Sequence, residues 1–596
     1  MMRTLSIALF LTLLIPQIAL GSVNQGHALL EAWQLEEAKL LAQELLLENP
    51  SSSDAYILAG RVQYFRGEHL SALGLLEKAQ ALGGPKIGGL FDRVQDTARY
   101  APYFQTLETK HFKIRYIDKD VITATYAKDV LEAAYREIGG GLDFLAAERD
   151  EKIVVEIYPD ALGLAAATGL TVGEIETSGT IAVAKYHRLM ITSPLGTANG
   201  YSWADTIAHE FTHLVISKKS RNTIPIWFHE GIAKYYETLW RGEAGLALTA
   251  FSEKLLAEAT RDKAFITFDQ MHPSMAKLPS QEATALAFAE VFTVVEYLRQ
   301  THGVSSIPKV LELTGAGLGF EAALKKVFGS GLGRLEKKWQ NWVKKRKFTL
   351  VPGARAQTIA LKDSKNASSK EEDPLEALSN PDAQRFSRLG ELLQMRDKHA
   401  AAAIEYEKAR LEVGERYPTL NYRLAKAYSH MGKDDQAVSL LTKSFVIHPD
   451  DTDGRLLAGR LELKRGGYDA AEGHFDKVKL RNPYNPELHG SMASIYKHRN
   501  NAPQTEQSLQ FFKLCQAQRE RHSFDLPLPT NLTSGITILG PRFETIRIMG
   551  QPPIELPTIG LSLEPGNYSL EFRDAKGETK VQDVLVTPTT SLVVLK

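Results

Sequence analysis

Small and large apolar residues recur with a fixed period in the second half of the chain. Three pairs of positions keep a small residue, a large apolar residue or a proline 34 residues apart: Ala437 and Ala471, Leu441 and Phe475, and Pro449 and Pro483. Such a period predicts two packed helices per unit, because the small residue lets the helices approach and the large one fills the next turn. The proline then ends the second helix.

The same pattern continues, more weakly, on both sides of these units. The residues that keep it are Ala402, Tyr406 and Ala409 before them, and Thr505, Leu509 and Phe512 after them. A shorter set near the start has Ala38 and Ala72 in register, with Pro50 and Pro85 as unit ends. We therefore expect helical repeats at residues 22–106 and 383–519. They resemble tetratricopeptide repeats, a resemblance that implies a concave surface for a protein or peptide.

Residues 107–348 show a different pattern, in which short apolar runs come first and helical spacing follows from Trp203 onward. The runs predict strands at His111–Ile117, Lys152–Tyr158, Thr180–Ala184 and Leu189–Thr192, with a helix around Thr123–Ile138. This part of the chain is therefore expected to be an α+β domain between the two sets of repeats.

Two further segments follow. Residues 349–382 lack sustained periodicity and are rich in Ser, Lys, Glu, Asp and Pro, which predicts a linker. In residues 520–596, short β-type runs alternate with Pro/Gly turns, which predicts a small β-sandwich. The stretch 561–577 resembles PEGA-like modules of bacterial surface and periplasmic proteins. The predicted fold is multidomain: α-helical repeats flank an α+β domain, and a small β-sandwich ends the chain.

The first 21 residues predict export. They combine Arg3, an apolar run over Leu5–Ile15, Pro16, and the small residues Ala19 and Gly21, which are the features of a signal peptide cleaved after Gly21. The alternative is an uncleaved anchor, although the run is shorter than the ~20 residues that span a bilayer. No later segment is apolar enough to cross a membrane, so we expect a periplasmic or secreted protein.

The charge balance argues against two classes of partner. Lys and Arg total 71, Asp and Glu also total 71, and the net charge is zero. No net field therefore attracts nucleic acid or an anionic membrane. The single cysteine, Cys515, excludes an intramolecular disulfide.

The candidate chemistry lies in residues 208–237. His209 and His213 are four residues apart in a helical pattern, which places both imidazoles on one face, about 5–6 Å apart at Cβ, where they can share a zinc ion. Glu210 stands beside them, where a carboxylate can take a proton from a metal-bound water. The HExxH pattern alone is moderately specific. Two amphipathic helices with incidental His and Glu are the alternative.

A third candidate ligand is Glu230, which sixteen residues separate from His213. A helix–turn–helix return of this length can bring its carboxylate over the first helix. The pattern resembles gluzincin metallopeptidases, and more closely the peptidase MA-like family, whose third ligand lies in the motif W-[LF]-x-E-G-[LIF]-A that residues 227–233 match. The resemblance covers residues 107–348. It implies a zincin-like domain in which His209, His213 and Glu230 bind Zn²⁺ and Glu210 is the general base and then the general acid.

Two positions depart from this family. One turn after the ligand glutamate, where gluzincins commonly have an acid that orients a ligand histidine, the chain has Lys234; Asp205 and Glu237 are the candidate replacements. In a later helix, Phe288 stands where a tyrosine could stabilise an oxyanion. The remaining candidate electrophiles are Tyr201, His229, Tyr235, Tyr236 and His302.

The sequence thus predicts an exported zinc metallopeptidase that hydrolyses peptide bonds of an envelope or extracellular protein, with the repeats recruiting the substrate or a partner protein. An extended peptide is expected to pair with an edge strand at Leu189–Thr192. The alternative is an envelope scaffold or adaptor built on the repeats, with an inactive zinc-binding domain. The presence of Glu210 favours the enzyme, because zinc binding alone does not need that base.

Overall fold

A computed structural model describes residues 22–85, 87–144, 152–242, 248–275, 278–350, 354, 359, 361–362, 378, 380–415, 417–519, 536–539, 545–548, 554–555, 558–561, 566–573, 578–586 and 592–594. The predicted signal peptide and most of the predicted linker lie outside these residues. Helix is the dominant secondary structure in the described ranges. Among their helices, none combines the length and apolar character that a membrane span requires.

The N-terminal region is helical. Its helices are α1 (Val23–Glu31), α2 (Leu35–Glu48), α3 (Ser53–Phe65), α4 (His69–Ala81) and α5 (Gly88–Ala98). Ala38 and Ala72, the small residues of the predicted repeat pattern, are fully buried between these helices. At Gly60 a Cβ atom would lie 2.7 Å from Leu76 Cδ2, so α3 packs closely on α4 at this glycine.

A five-stranded sheet follows, with the order β1-β2-β3-β5-β4. Its strands are β1 (Gln105–Glu108), β2 (Phe112–Tyr116), β3 (Ile153–Tyr158), β4 (Ala182–Lys185) and β5 (Arg188–Thr192). The central strands β2, β3 and β5 are parallel, whereas β1 and β4 pair antiparallel at the two edges. Every residue of β3 and β5 is buried, as is typical of central parallel strands.

The expected edge strand was wrong. The segment 189–192 belongs to β5, which pairs with both β3 and β4, so β4 is the edge of the sheet on this side. Tyr186 and His187 both have positive φ, 55° and 59°, and this two-residue turn folds β4 onto the outer side of β5. The sequence of that turn lacks Gly, Asn and Asp, which usually indicate such a hairpin.

Within the described residues, ten further helices belong to the central region. They are α6 (Val121–Ala134), α7 (Ala161–Thr168), α8 (Val172–Ser178), α9 (Trp203–Ser220), α10 (Ile226–Tyr236), α11 (Ala250–Asp262), α12 (Gln281–His302), α13 (Ser306–Gly315), α14 (Phe320–Phe328) and α15 (Leu332–Val343). Helix α9 packs on the sheet, where Phe211 contacts Phe112 of β2 with ring centroids 5.6 Å apart. Helix α10 packs between α9 and α12.

Eight helices form the second repeat region. They are α16 (Pro381–Gln394), α17 (His399–Val413), α18 (Pro418–His430), α19 (Asp434–Ile447), α20 (Thr452–Lys464), α21 (Tyr468–Lys479), α22 (Pro486–His498) and α23 (Ala502–Arg519). They pack as consecutive pairs. The small residues Ala402, Ala437 and Ala471 are fully buried at equivalent places in three of these pairs.

The C-terminal region contains two small sheets. Strands β7 (Thr545–Ile548), β8 (Ile554–Glu555), β10 (Gly566–Arg573) and β11 (Thr579–Val586) form one, and β6 (Ile536–Leu539), β9 (Thr558–Leu561) and β12 (Leu592–Val594) form the other. The expected β-type structure is therefore present, and the packing of the sheets into a sandwich stays a prediction.

A buried ionic cluster joins the N-terminal helices to the sheet. Glu156 of β3 lies 3.0 Å from Arg188 of β5, 2.6 Å from His69 of α4 and 3.5 Å from Arg115 of β2. Arg188 and Glu156 are both fully buried. The neighbouring cations hold the pKa of Glu156 well below its usual range, although burial opposes them. This carboxylate is therefore ionised inside the contact.

The second repeat region also contacts the central domain. The Tyr484 hydroxyl, in the loop before α22, donates to the Asp120 carboxylate at 3.0 Å and lies 2.6 Å from Thr123 Oγ1. The indole N–H of Trp203, the first residue of α9, donates to the carbonyl of Lys479 at 3.0 Å. The repeats therefore touch the helix that carries the candidate chemistry.

Candidate metal centre

Helix α9 positions three of the four predicted site residues. Its apolar residues Ile207, Phe211 and Leu214 are fully buried in the core of the central domain. His209 and His213 lie on another face of the helix, and their side chains are 15% and 13% exposed. The helix ends where Arg221 and Asn222 adopt positive φ of 52° and 56°, which reverses the chain toward α10.

Helix α10 returns Glu230 to the same place. The residue after it, Gly231, lies where a Cβ atom would be 2.8 Å from the carbonyl oxygen of Val291 in α12. Glycine therefore lets α10 approach α12 closely. Trp227, one turn before Glu230, stacks on Phe268 with ring centroids 4.0 Å apart, which fixes the first turn of α10.

The structure brings His209, His213 and Glu230 together. Nε2 of His213 lies 3.1 Å from Nε2 of His209, and each nitrogen lies 3.4 Å from Oε2 of Glu230. In a tetrahedral zinc site with bonds near 2.0–2.1 Å, two ligand atoms are about 3.3 Å apart. These three atoms therefore fit three corners of such a site and leave a fourth open.

The Nδ1 atoms of His209 and His213, on the far side of each ring from the Nε2 atoms, have hydrogen-bond partners of their own. Nδ1 of His209 lies 3.1 Å from Oε2 of Glu237, and Nδ1 of His213 lies 2.7 Å from Nδ1 of His229. If both Nδ1 atoms carry the ring hydrogen, both Nε2 atoms have a free lone pair. These two lone pairs and Oε2 of Glu230 then face one another with no proton between them. Such a donor set attracts a divalent cation.

In the metal-free chain, a proton can supply the positive charge. Burial alone would lower the pKa of His209, but hydrogen bonds to Glu230 and Glu237 raise it to about 10. The pKa of Glu230 is well below its usual range, because the two histidines outweigh the effect of burial. A divalent cation that binds here would have to displace this proton, so its binding would weaken as the pH falls.

Lys234 stands where the family usually has an acid, and Glu237 supplies the carboxylate that contacts His209 instead. Its second oxygen, Oε1, lies 2.6 Å from Lys234 Nζ, so the lysine holds the carboxylate that holds His209. Asp205, the other candidate, instead accepts hydrogen bonds from Arg241 at 2.9 Å and from Trp240 at 3.0 Å. Of the two replacements that the sequence left open, the structure places Glu237 on the ligand histidine.

Glu210 lies beside the two histidines and is 8% exposed. Burial raises the pKa of its carboxyl, and the two histidines oppose this only in part. The backbone N–H of Ala184, in the edge strand β4, interacts with the carboxyl and lowers its pKa. A buried carboxyl with a raised pKa is suited to accept and return a proton near neutral pH.

His229 was one of several candidate electrophiles, and the sequence did not predict what its side chain contacts. It follows Phe228 in α10 and directly precedes Glu230, and it is 7% exposed against His213. Its position next to a ligand was the available signal, but successive residues of a helix point about 100° apart, so adjacency did not predict the contact.

The other candidate electrophiles have packing roles. Tyr201 donates its hydroxyl hydrogen to the carbonyl of Thr192, and the Tyr236 hydroxyl accepts from Arg299. The ring of Tyr235 packs on Phe292, and that of His302 packs on Phe328. Phe288 packs against the apolar core of the domain.

Comparison with known proteins adds a family for this region. Residues 145–345 match the family model Peptidase_MA_2, described as the peptidase MA superfamily. This region is a peptidase MA superfamily domain. The matched residues of the peptidase MA domain include α9, α10 and Glu237, and therefore the whole candidate centre. The roles of His209, Glu210, His213 and Glu230 stay predictions.

A second comparison matches a short part of the chain. The chain is 32% identical over 118 residues to DnaJ homolog subfamily C member 3 of Mus musculus and of Homo sapiens, a match that covers 20% of this chain and 23% of each relative. It therefore spans less than a quarter of the length of these relatives.

Two solved structures also align with the chain. The APC/C hetero-tetramer Cut9-Hcn1 aligns at 11% identity and a TM-score of 0.24, over 84% of this chain and 80% of that one. Naa15/Naa10 bound to HypK-THB aligns at 14% identity and a TM-score of 0.19, over 83% and 67%. At TM-scores this low, neither alignment indicates a shared fold.

Proposed function

We propose that the protein is an exported zinc metallopeptidase that cleaves peptide bonds of an envelope or extracellular protein. The observation that carries this proposal is the convergence of His209 Nε2, His213 Nε2 and Glu230 Oε2, at separations that fit zinc, with the Glu210 carboxyl beside them. The peptidase MA match of the same residues supports it. Export rests on the signal-peptide pattern of residues 1–21.

In this proposal each site residue has one task. His209, His213 and Glu230 hold the metal, and Glu237 holds the ring of His209. Bound zinc would polarise the scissile carbonyl and lower the pKa of its water toward about 7. Glu210 takes a proton from the attacking water and delivers it to the leaving amine.

The edge strand β4 is the proposed place for the substrate backbone. Thr192 N–H donates to the carbonyl of Ile181 at 2.7 Å, which makes 181 and 192 a hydrogen-bonded pair. Since such pairs alternate along an antiparallel ladder, the backbone groups of Ala182 and Ala184 point away from β5. Of these groups, the Ala184 N–H interacts with the Glu210 carboxyl. An extended peptide that pairs with this edge therefore passes beside the catalytic carboxyl.

The repeats are proposed to recruit the substrate or a partner protein. Arrays of this kind present extended concave surfaces to other proteins. The second set contacts the start of α9 through Trp203 and Lys479. A protein held there would lie close to the metal centre.

A second candidate function is an adaptor with an inactive domain. The observation that favours it is Phe288, which leaves the position of an expected oxyanion-stabilising hydroxyl without one. In this case the centre would bind zinc as a structural element, and the repeats would carry the biological role.

Cleavage by the full-length chain separates the two functions. Zinc-loaded wild type and Glu210→Gln are incubated with an unfolded protein substrate, and in cells their cleaved envelope proteins are compared by proteomics. We expect Glu210→Gln to bind zinc as well as the wild type and to lose cleavage by about a hundredfold or more. Full biological activity in Glu210→Gln would support the adaptor and contradict the enzyme.

A further inference from the structure

We propose that His229 is a positioning residue, which accepts a hydrogen bond from His213 and so fixes the tautomer and the orientation of the His213 ring. The inference rests on the proposed zinc site. Nδ1 of His229 lies 2.7 Å from Nδ1 of His213, and the two rings are 4.9 Å apart at their centroids. At that distance one nitrogen must donate a hydrogen to the other.

The contacts of His213 Nε2 show which of the two Nδ1 atoms donates the hydrogen. Its Nε2 faces Nε2 of His209 and Oε2 of Glu230. A histidine that offers the Nε2 lone pair to a metal carries its hydrogen on Nδ1. His213 therefore donates, and His229 accepts through the lone pair of its own Nδ1.

Ser217 completes the chain of hydrogen bonds. Because Nδ1 of His229 accepts, the ring carries its hydrogen on Nε2, which lies 3.3 Å from Ser217 Oγ. Ser217 lies one turn after His213 in α9 and is buried. The two helices of the centre are thus joined through Ser217, His229 and His213.

The two ligand histidines consequently have unequal partners. His209 is held by the Glu237 carboxylate, which is itself paired with Lys234. His213 is held by an uncharged imidazole next to Glu230. A third carboxylate at this buried place would add repulsion to Glu230 and Glu237, and a neutral acceptor fixes the tautomer without that cost.

Packing alone is the rival explanation, and matched variants separate the two. Asn and Leu have nearly the same shape, but only Asn offers an oxygen acceptor near the place of the histidine Nδ1. His229→Asn should therefore keep the function of His229, and His229→Leu should lose it. His489→Leu is the control, since His489 is also buried but donates to the carbonyl of Pro483, in the second repeat region.

The experiment measures zinc affinity of the full-length variants by competition with a chromophoric chelator, together with the visible spectrum of the Co²⁺-loaded protein. We expect His229→Leu to bind zinc about 10–100-fold more weakly and to shift the cobalt bands. His229→Asn should stay within about threefold of the wild type, and His489→Leu should leave both readouts unchanged. Equal zinc affinity and equal cobalt spectra in His229→Asn and His229→Leu would overturn the inference.

Failure of the proposed function gives a different result. A wild type that binds zinc and shows the expected difference between His229→Asn and His229→Leu, yet cleaves no substrate, contradicts the peptidase and supports the positioning role. A wild type that cleaves its substrate while His229→Leu keeps full zinc affinity contradicts the positioning role alone. A wild type that takes up no zinc contradicts both.

Discussion

Oε2 of Glu237 lies 3.1 Å from Nδ1 of His209, and Lys234 Nζ lies 2.6 Å from the other oxygen of the same carboxylate. The lysine that departs from the family pattern therefore supports the centre indirectly. Burial would raise the pKa of Glu237, but Lys234 and His209 bring it below the usual value, so the carboxylate is charged. This ion pair compensates for the missing acid at position 234.

Removing this carboxylate should weaken metal binding. We expect Glu237→Ala to bind zinc about 10–100-fold more weakly, because the ring of His209 loses the group that orients it. Glu237→Gln, which keeps an acceptor, should lose less. Chelator competition measures both, with the exposed Glu282→Ala as control. Wild-type affinity in Glu237→Ala would contradict this role.

The edge strand offers a test of how Glu210 is held. Ala184→Pro removes the backbone N–H that interacts with the Glu210 carboxyl, at a position where proline breaks no bond to β5. We expect kcat/KM for an unfolded protein substrate to fall about tenfold, the value of one hydrogen bond. Zinc affinity should stay unchanged. Ala184→Val keeps the N–H and is the control; equal activities in the two variants would refute the assigned contact.

The Glu156 cluster should control docking of the N-terminal helices. Glu156→Gln leaves Arg188 buried without its anionic partner, which costs about 3 kcal/mol. Urea unfolding and limited proteolysis of α1–α5 measure the loss. Glu108→Gln is the control, because its ion pair with Lys152 is exposed and contributes at most about 1 kcal/mol. Similar stability losses in both variants would argue against a special role for the cluster.

The buried carboxyl of Asp120 should make the stability of the folded protein depend on pH. Burial raises the pKa of this carboxyl to about 7, although Ser193 and Tyr484 donate to it. An unfolded Asp has a pKa near ~3.9, so between pH 4 and about 7 the folded state holds a proton that the unfolded state loses. Stability should therefore fall as the pH rises, by up to about 1.4 kcal/mol per unit, and level off above about 7.

The variant Asp120→Asn isolates this effect. It cannot titrate, so the Tm of the wild type minus that of the variant should decrease steadily from pH 4 to 7. A thermal-unfolding series across this range makes the measurement, and Lys119, Asp160 and Tyr484 remain as in the wild type. A difference that does not change with pH would show that Asp120 titrates alike in both states.

Local patterns in the sequence predicted much of this molecule. The spacing of His209 and His213 depends on helix geometry alone, and the burial of Ala437 and Ala471 follows from the repeat period. The pairing of β4 as the edge strand was not predicted, because Tyr186 and His187 reach positive φ without a residue type that favours it.

The support of the centre was harder to predict than its ligands. Glu237 lies just beyond the last residue of α10, and its side chain reaches His209 because α10 packs across α9. His229 meets His213 for the same reason. Such contacts depend on how two helices cross, which the sequence does not specify residue by residue.

Zinc content tests the central claim most directly. Full-length wild type and His213→Ala are purified in parallel, dialysed against buffer with trace zinc, and analysed for metal per chain. The proposed centre predicts about one zinc per wild-type chain and almost none in His213→Ala, because the loss of one of three ligands leaves too few donors. A wild type without zinc, or a His213→Ala variant that retains it, would contradict the account.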